Sequence, residues 1–309
     1  MSLAILYEDS GELGNRLVSY SYLLSFGTRY RARVANLCFW RYAHLFAPAS
    51  ENQARKPHHG PGAGERAIRS LLGLPPLARF RRRFQFDGDL VCSPRALGIR
   101  ALNAMASRAA RPLSRRIPLT LRHETSWAHH CSLAVSRPLA DLPIFEPEVL
   151  MENAAQLRAR FALRADLDAQ LTSWLQPLRK NCDRLIGVHV RRGDYAIYRG
   201  GCWFFDHSTY RRLMSHLVTV YAPERVAFVL ASAEPFEPGH WAGLPVHPAP
   251  GLPILDMYAL ARCSLIVGPP STFSGWASFV GDTPVYFIDH AANTPTERDL
   301  LTSWTPRFY

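Results

Sequence analysis

Two adjacent arginines, a glycine and an aspartate (Arg191, Arg192, Gly193, Asp194) close the apolar run Gly187–Val190 in "GVHVRRGDY". A guanidinium fork matches phosphate oxygens two at a time, so an arginine at the end of a buried strand suits a diphosphate. A salt-bridged strand end is the ordinary alternative. In "GPPSTFSGWASF" (Gly268–Phe279), Ser271, Thr272 and Ser274 with Phe273 follow the apolar run "SLIV". Hydroxyls and backbone amides at a strand-to-helix turn form an anion site, although capping alone accounts for one of the hydroxyls. In "ILDMYALARCSLIVG", Asp256 opens a helix of apolar and small residues. Its carboxylate suits the positive end of the helix dipole, or the N1 and amine donors of a guanine. "FDGDL" (Phe86–Leu90) holds an Asp-x-Asp, which is either a metal-diphosphate signature or, through Asp-Gly, a hairpin turn; the turn is preferred.

The elements that must position these residues follow from periodicity. A strand over Leu3–Tyr7, the turn "EDSGELGN" and a helix over about Arg16–Phe26 form a first βα unit. Residues 147–180 predict one or two helices. From Leu185 the chain alternates: strand Leu185–Val190, helix Ser208–Tyr221, strand Arg225–Ala231 and a short strand near Val246. Helix Ile254–Arg262, strand Ser264–Val267, helix Ser271–Val280 and strand Pro284–Ile288 complete it. Alternating β and α elements predict a parallel, doubly wound sheet. The expected architecture is α/β, with two Rossmann-like halves spanning residues 1–180 and 181–309. The Pro- and Gly-rich stretch 48–66, with His58 and His59, is expected to be an exposed, mobile loop; its histidines are expected to be solvated.

The 309 residues are 48% hydrophobic, enough for a substantial core. A formal net charge of +11, mostly arginine, points to anionic partners. The densest patches, 77–84 and 107–118, are expected to be solvated faces. Phe80, Phe84 and Phe86 interleave with the first of them, which makes peripheral contact with an anionic membrane the sharper alternative. No RNP-type aromatic pattern, helix-turn-helix or zinc finger supports a nucleic-acid partner. The six cysteines fall at no zinc-ligand spacing and are expected to be small buried hydrophobes in a reducing compartment. Neither a signal peptide nor a spanning run is visible, so a cytoplasmic location is expected.

Taken together, "HVRRGDY" and "DMYALARCSLIVGPPSTFSGWASF" resemble the shared motif set of fucosyltransferases. The pattern is nearest that of the alpha-1,2-fucosyltransferases, with related versions in the core alpha-1,6- and protein O-fucosyltransferases. "GELGNRLVSYSYLL" resembles the "GGLGNQLFQYA" opening of the first group. The resemblance covers about residues 3–46 and 184–289. It implies a GT-B-like fold of two Rossmann-like domains facing a cleft, with GDP-fucose held by the C-terminal half. It also implies inverting transfer to a glycan hydroxyl without a metal or other cofactor. By the resemblance, Arg191 holds the β-phosphate, Ser271 and Thr272 add hydrogen bonds, and His189 and Asp256 contact guanine or ribose. Gly14 and Asn15 would lie in the first-domain loop facing the sugar. Glu12, in the same loop, is the preferred general base, as in some protein O-fucosyltransferases. The alpha-1,2 group usually has glycine there. Asp194 is the second candidate base, with orienting Arg191 or binding sugar hydroxyls as its other roles.

Two departures bear on specificity. Ser232, Ala233 and Glu234 stand where family members often carry a serine and two aspartates, and Gly275-Trp276 replaces a double tryptophan. The leading expectation is a fucosyltransferase acting on a surface-glycan or lipid-linked oligosaccharide precursor at the inner membrane face. Enzymes using another GDP-sugar, a GDP-sugar sensor without turnover and a basic nucleic-acid-binding protein are the alternatives.

Overall fold

The computed structural model describes residues 2–9, 11–36, 38–39, 41–47, 86–87, 89–91, 119–126, 129–296 and 299–300. Both basic patches, the 48–66 stretch and its histidines lie outside the described residues. Two compact units divide at Ala162/Leu163.

The first unit is built on a βαβ crossover. Strand β1 (Leu3–Asp9) leads through helix α1 (Leu13–Arg29) into β2 (Arg33–Asn36), which pairs parallel with β1. The two-residue β3 (Phe86–Asp87) pairs antiparallel with β4 (Asp89–Val91), and β4 adds parallel to β2. The antiparallel pair β5 (Leu119–Ser126) and β6 (His129–Ser136) extends the other edge, giving the order β3-β4-β2-β1-β6-β5. The sheet is therefore mixed, with β1, β2 and β4 parallel and β3, β5 and β6 antiparallel to their neighbours. Helix α1 is buried along most of its length because Leu17, Val18, Tyr20, Leu23 and Phe26 all face apolar neighbours. Tyr20, Phe39, Phe46 and Phe161 pack edge and face with centroids 5.0–5.8 Å apart. Short helices α2 (Pro147–Glu152) and α3 (Ala154–Arg160) complete the unit.

The second unit carries the regular alternation. Helix α4 (Ala165–Asn181) precedes β7 (Arg184–Val190) and belongs to this unit rather than ending the first. The boundary therefore lies at 162/163 instead of near 180. The cause is packing: Arg262 bonds Asp168 and donates to Thr172 Oγ1 at 3.1 Å, while Arg179 donates to the Arg262 carbonyl at 2.9 Å. After β7 come helix α5 (His207–Val220), β8 (Val226–Ser232) and β9 (Val246–Pro248). Helix α6 (Pro253–Ala261), β10 (Leu265–Gly268), helix α7 (Thr272–Gly281) and β11 (Val285–Phe287) follow.

All five strands are parallel, in the order β11-β10-β7-β8-β9. One face of β7 (Ile186, Val188, Val190) joins Tyr210, Leu213, Met214 and Leu217 of α5 in the main core. Each such side chain contributes about 1.5–3 kcal/mol by leaving water. The strand's period of two sends the intervening Gly187 and His189 toward the opposite face. The α/β class with two sheet-centred units agrees with the sequence expectation. No described helix is long and apolar enough to cross a membrane.

Candidate functional site

In the second sheet the chain runs outward from β7 through β8 to β9, then returns to lay β10 and β11 on the other flank. The switch point therefore lies between the carboxyl ends of β7 and β10, where open α/β sheets bind ligands. Both leading motifs end there.

Arg191 follows β7 directly. Its Nη2 donates to Asp194 Oδ2 at 2.9 Å and lies 2.8 Å from Oδ1. The Arg191 side chain is 38% exposed and that of Asp194 61%, so the pair is worth at most about 1 kcal/mol and exchanges readily. Arg191 Nε is buried and makes no hydrogen bond among the described residues. A buried donor without a partner is costly, so this atom suits an incoming anion.

Arg192 differs. Its Nε donates to Glu234 Oε1 at 3.0 Å and its Nη1 to the Phe205 carbonyl at 2.9 Å, with the guanidinium 4.3 Å above the Phe204 ring. It clamps the loop after β7 to the end of β8, and Glu234 is its counter-ion.

His189, the penultimate residue of β7, is 5% exposed, with Nδ1 2.7 Å from Ser274 Oγ. The Phe273 ring lies 4.8 Å from the imidazole at 31°. Burial, with the Arg191 charge beside it, pushes the imidazolium down to about 3, so His189 is neutral at physiological pH. A Cβ at Gly268 would come within 2.8 Å of the His189 carbonyl, so only glycine lets β10 approach β7 this closely.

Ser271 is the N-cap of α7, its Oγ accepting from the Phe273 amide at 3.2 Å. Thr272 and the half-buried Phe273 form the first turn, whose amides and dipole favour an anion. Ser274 is fully buried and works behind this turn on His189. Tyr195 Oη donates to the Pro270 carbonyl at 2.7 Å, tying the Gly193–Ala196 turn to the turn that opens α7. Nothing in the sequence singled out Tyr195 for that tie.

Asp256 sits in the first turn of α6 and is 7% exposed. Its Oδ1 accepts from the Gly251 amide at 2.7 Å. Burial raises the carboxyl to about 6, with the Gly251 bond opposing the shift. A group that hydrogen-bonds as a carboxylate while resisting burial of its charge gains from a ligand bringing donors.

The remaining candidates belong to the first unit. Gly11, at φ +77°, turns the chain after β1, and a Cβ there would collide with Asn15 Nδ2 at 2.1 Å. Glu12 is the N-cap residue of α1, its carbonyl accepting from the Arg16 amide at 3.1 Å. The helix thus begins at Leu13, earlier than expected, and Gly14 and Asn15 lie in its first turn instead of in a loop. Glu12 is exposed, and its Oε2 accepts from Tyr42 Oη at 2.8 Å. Burial and that bond push the Tyr42 phenol up to about 12. Arg16 donates to the Gly11 and Cys38 carbonyls, each at 3.1 Å, and fixes the turn. Sequence reading missed Tyr42, since no spacing links it to Glu12. Among the described residues no group of three or more His, Cys, Asp or Glu could hold a metal ion.

No family model matches this chain, and no curated protein does. Several solved structures are similar to it, among them the following three. The Bradyrhizobium NodZ alpha-1,6-fucosyltransferase, soaked with GDP-fucose, shares 16% identity at a TM-score of 0.48, covering 90% of this chain and 91% of that one. Arabidopsis thaliana FUT1 in complex with GDP shares 12% at 0.45, covering 94% and 70%. POFUT1 in its apo form shares 10% at 0.49, covering 93% and 97%. Likeness at this level leaves chemistry to the site residues.

Proposed function

We propose that this chain is an inverting glycosyltransferase that moves fucose from GDP-fucose to a hydroxyl of a glycan acceptor without a metal ion. The observation that carries the reading is Arg191 at the switch point, its Nε buried without a partner. Beside it stands the first turn of α7, on the neighbouring strand. A guanidinium and a helix N-terminus offer a pyrophosphate charge-assisted donors. Asp256 supplies a carboxylate for guanine donors, consistent with its raised titration. The fucosyl assignment rests on the motif resemblance of "HVRRGDY" and "STFSGW".

In the reaction, the acceptor oxygen attacks C1 from the face opposite the diphosphate and forms the new glycosidic bond. The C1–O bond to the β-phosphate breaks, and its electron pair leaves with GDP. Arg191 and the α7 amides stabilise that gathering charge. The acceptor proton passes to a carboxylate, assigned to Glu12. Tyr42 donates to Glu12 and orients it. Asp194 orients Arg191 before the diphosphate arrives. The acceptor is proposed to be a surface-glycan or lipid-linked precursor, met by a cytoplasmic protein at the inner membrane face.

Calorimetric titration with GDP, GDP-fucose and GDP-mannose in EDTA tests the reading. Metal-free binding that prefers GDP-fucose and collapses in Arg191→Ala is expected. A folded protein that binds no GDP overturns the nucleotide assignment. Equal binding of GDP-mannose would favour an enzyme of the same fold using another GDP-sugar.

A further inference from the structure

Ser274 is fully buried, and among the described residues its Oγ has one hydrogen-bond partner, His189 Nδ1 at 2.7 Å. A hydroxyl carries one proton to donate. Had Nδ1 the proton, it would donate to Oγ and leave the serine O–H without an acceptor in a site closed to water. That loss costs about 1–3 kcal/mol, enough to choose between tautomers that are otherwise close in energy. With the serine donating to Nδ1, both groups are satisfied and the ring proton sits on Nε2. Nε2 itself makes no hydrogen bond to the described residues, and it is not among their buried orphaned atoms, so it faces outward. The Phe273 ring at 4.8 Å and the close approach of Gly268 to the His189 carbonyl hold the imidazole in that pose.

We infer that Ser274 is a positioning residue that holds His189 as a neutral Nε2–H donor aimed at an oxygen of the bound nucleoside diphosphate sugar. This rests on the nucleotide-sugar reading of the switch point. It divides recognition by polarity. A ring that offers only a proton cannot accept from the N1 and amine donors of guanine, so those fall to Asp256, and His189 takes a ribose or phosphate oxygen. A hydroxyl that would have served as a phosphate ligand on motif grounds instead acts one layer behind the ligand.

The test uses the full-length chain labelled with 15N, with His189→Gln identifying the His189 signals. Long-range proton–nitrogen spectra of the free protein should show a protonated Nε2 and a hydrogen-bonded, pyridine-type Nδ1, unchanged between pH 5.5 and 8. GDP should shift the Nε2 proton. In Ser274→Ala the Nδ1 signal should move toward that of an unbonded pyridine-type nitrogen, with GDP binding about tenfold weaker, a change of about 1.4 kcal/mol. Ser274→Cys, which keeps a weak donor of similar size, should recover part of both. A protonated Nδ1 in the wild type overturns the inference. So does an Nδ1 signal and GDP affinity that ignore Ser274→Ala. Failure of the wild type to bind GDP would strike the nucleotide reading alone, because the tautomer is read without ligand.

Discussion

The turn after β1 and the pair of turns after β7 and β10 occupy the same place in their sheets, the carboxyl edge, yet they are built differently. In the second unit the arginine, the histidine and the tyrosine of the site are each held by a neighbour. Asp194 holds Arg191, Ser274 and Phe273 hold His189, and Tyr195 ties the two turns together. In the first unit Glu12 stands exposed, held among the described residues by Tyr42. A cradle for charge must be rigid before charge develops, because reorganising dipoles during the reaction wastes their stabilisation. A base must meet a mobile acceptor and exchange its proton with water, which burial would hinder. On the proposed function, binding falls to the second unit and proton transfer to the first.

Separating binding from turnover breaks or sharpens that contrast most directly. Glu12→Gln should lower turnover by about 10²–10⁴-fold while changing GDP affinity less than twofold, as calorimetry and a GDP-release assay would show. Equal loss of both would erase the division of labour. Arg191→Ala should weaken GDP by about 100-fold, whereas Arg192→Ala should lower Tm first, because its guanidinium is spent on Glu234 and Phe205.

Asp256→Asn carries a signed pH effect. Its folded carboxyl titrates near 6 against an ordinary 3.8, so the folded state holds a proton that the unfolded chain has lost. Folding is therefore penalised progressively as pH rises from about 4 through 6, and the asparagine variant escapes this. It should melt higher than wild type at pH 8 and the same at pH 4, while binding GDP about tenfold more weakly through loss of an ionic acceptor. A lower Tm at pH 8 would show Asp256 to be a structural cap for the Gly251 loop instead. Tyr42→Phe should have the smallest effect. It should cost turnover a few-fold in a GDP-release assay, because the hydrogen bond that orients Glu12 is lost.

The second unit was legible in the sequence because its signals are local. Continuous apolar runs such as Leu185–Val190 mark buried parallel strands, and strand, turn and helix recur at short intervals. The motif order then placed Arg191 and Ser271 at one edge. The antiparallel pair β5 and β6 was missed, since its polar strands "LTLRHETS" and "HHCSLAVS" carry weak alternation and gain their place from β1. Pairings between distant residues leave no such trace. Glu12 with Tyr42, Arg192 with Glu234 and His189 with Ser274 are 30, 42 and 85 residues apart. For the same reason the two arginines of "RRGD" could not be told apart before their partners were known. The start of α1 was misplaced because glycines and an asparagine resemble a loop and Glu12, at the N-cap position, makes no side-chain capping bond, although Gly14 is buried within the helix.

A crystal structure of the GDP complex, grown without metal, tests the central claim most directly. The account predicts the diphosphate between Arg191 and the first turn of α7, with Arg191 Nε donating to a phosphate oxygen and the Asp194 pair loosened or broken. A nucleotide bound elsewhere, or a diphosphate met by Arg192 while Arg191 stays on Asp194, would contradict it.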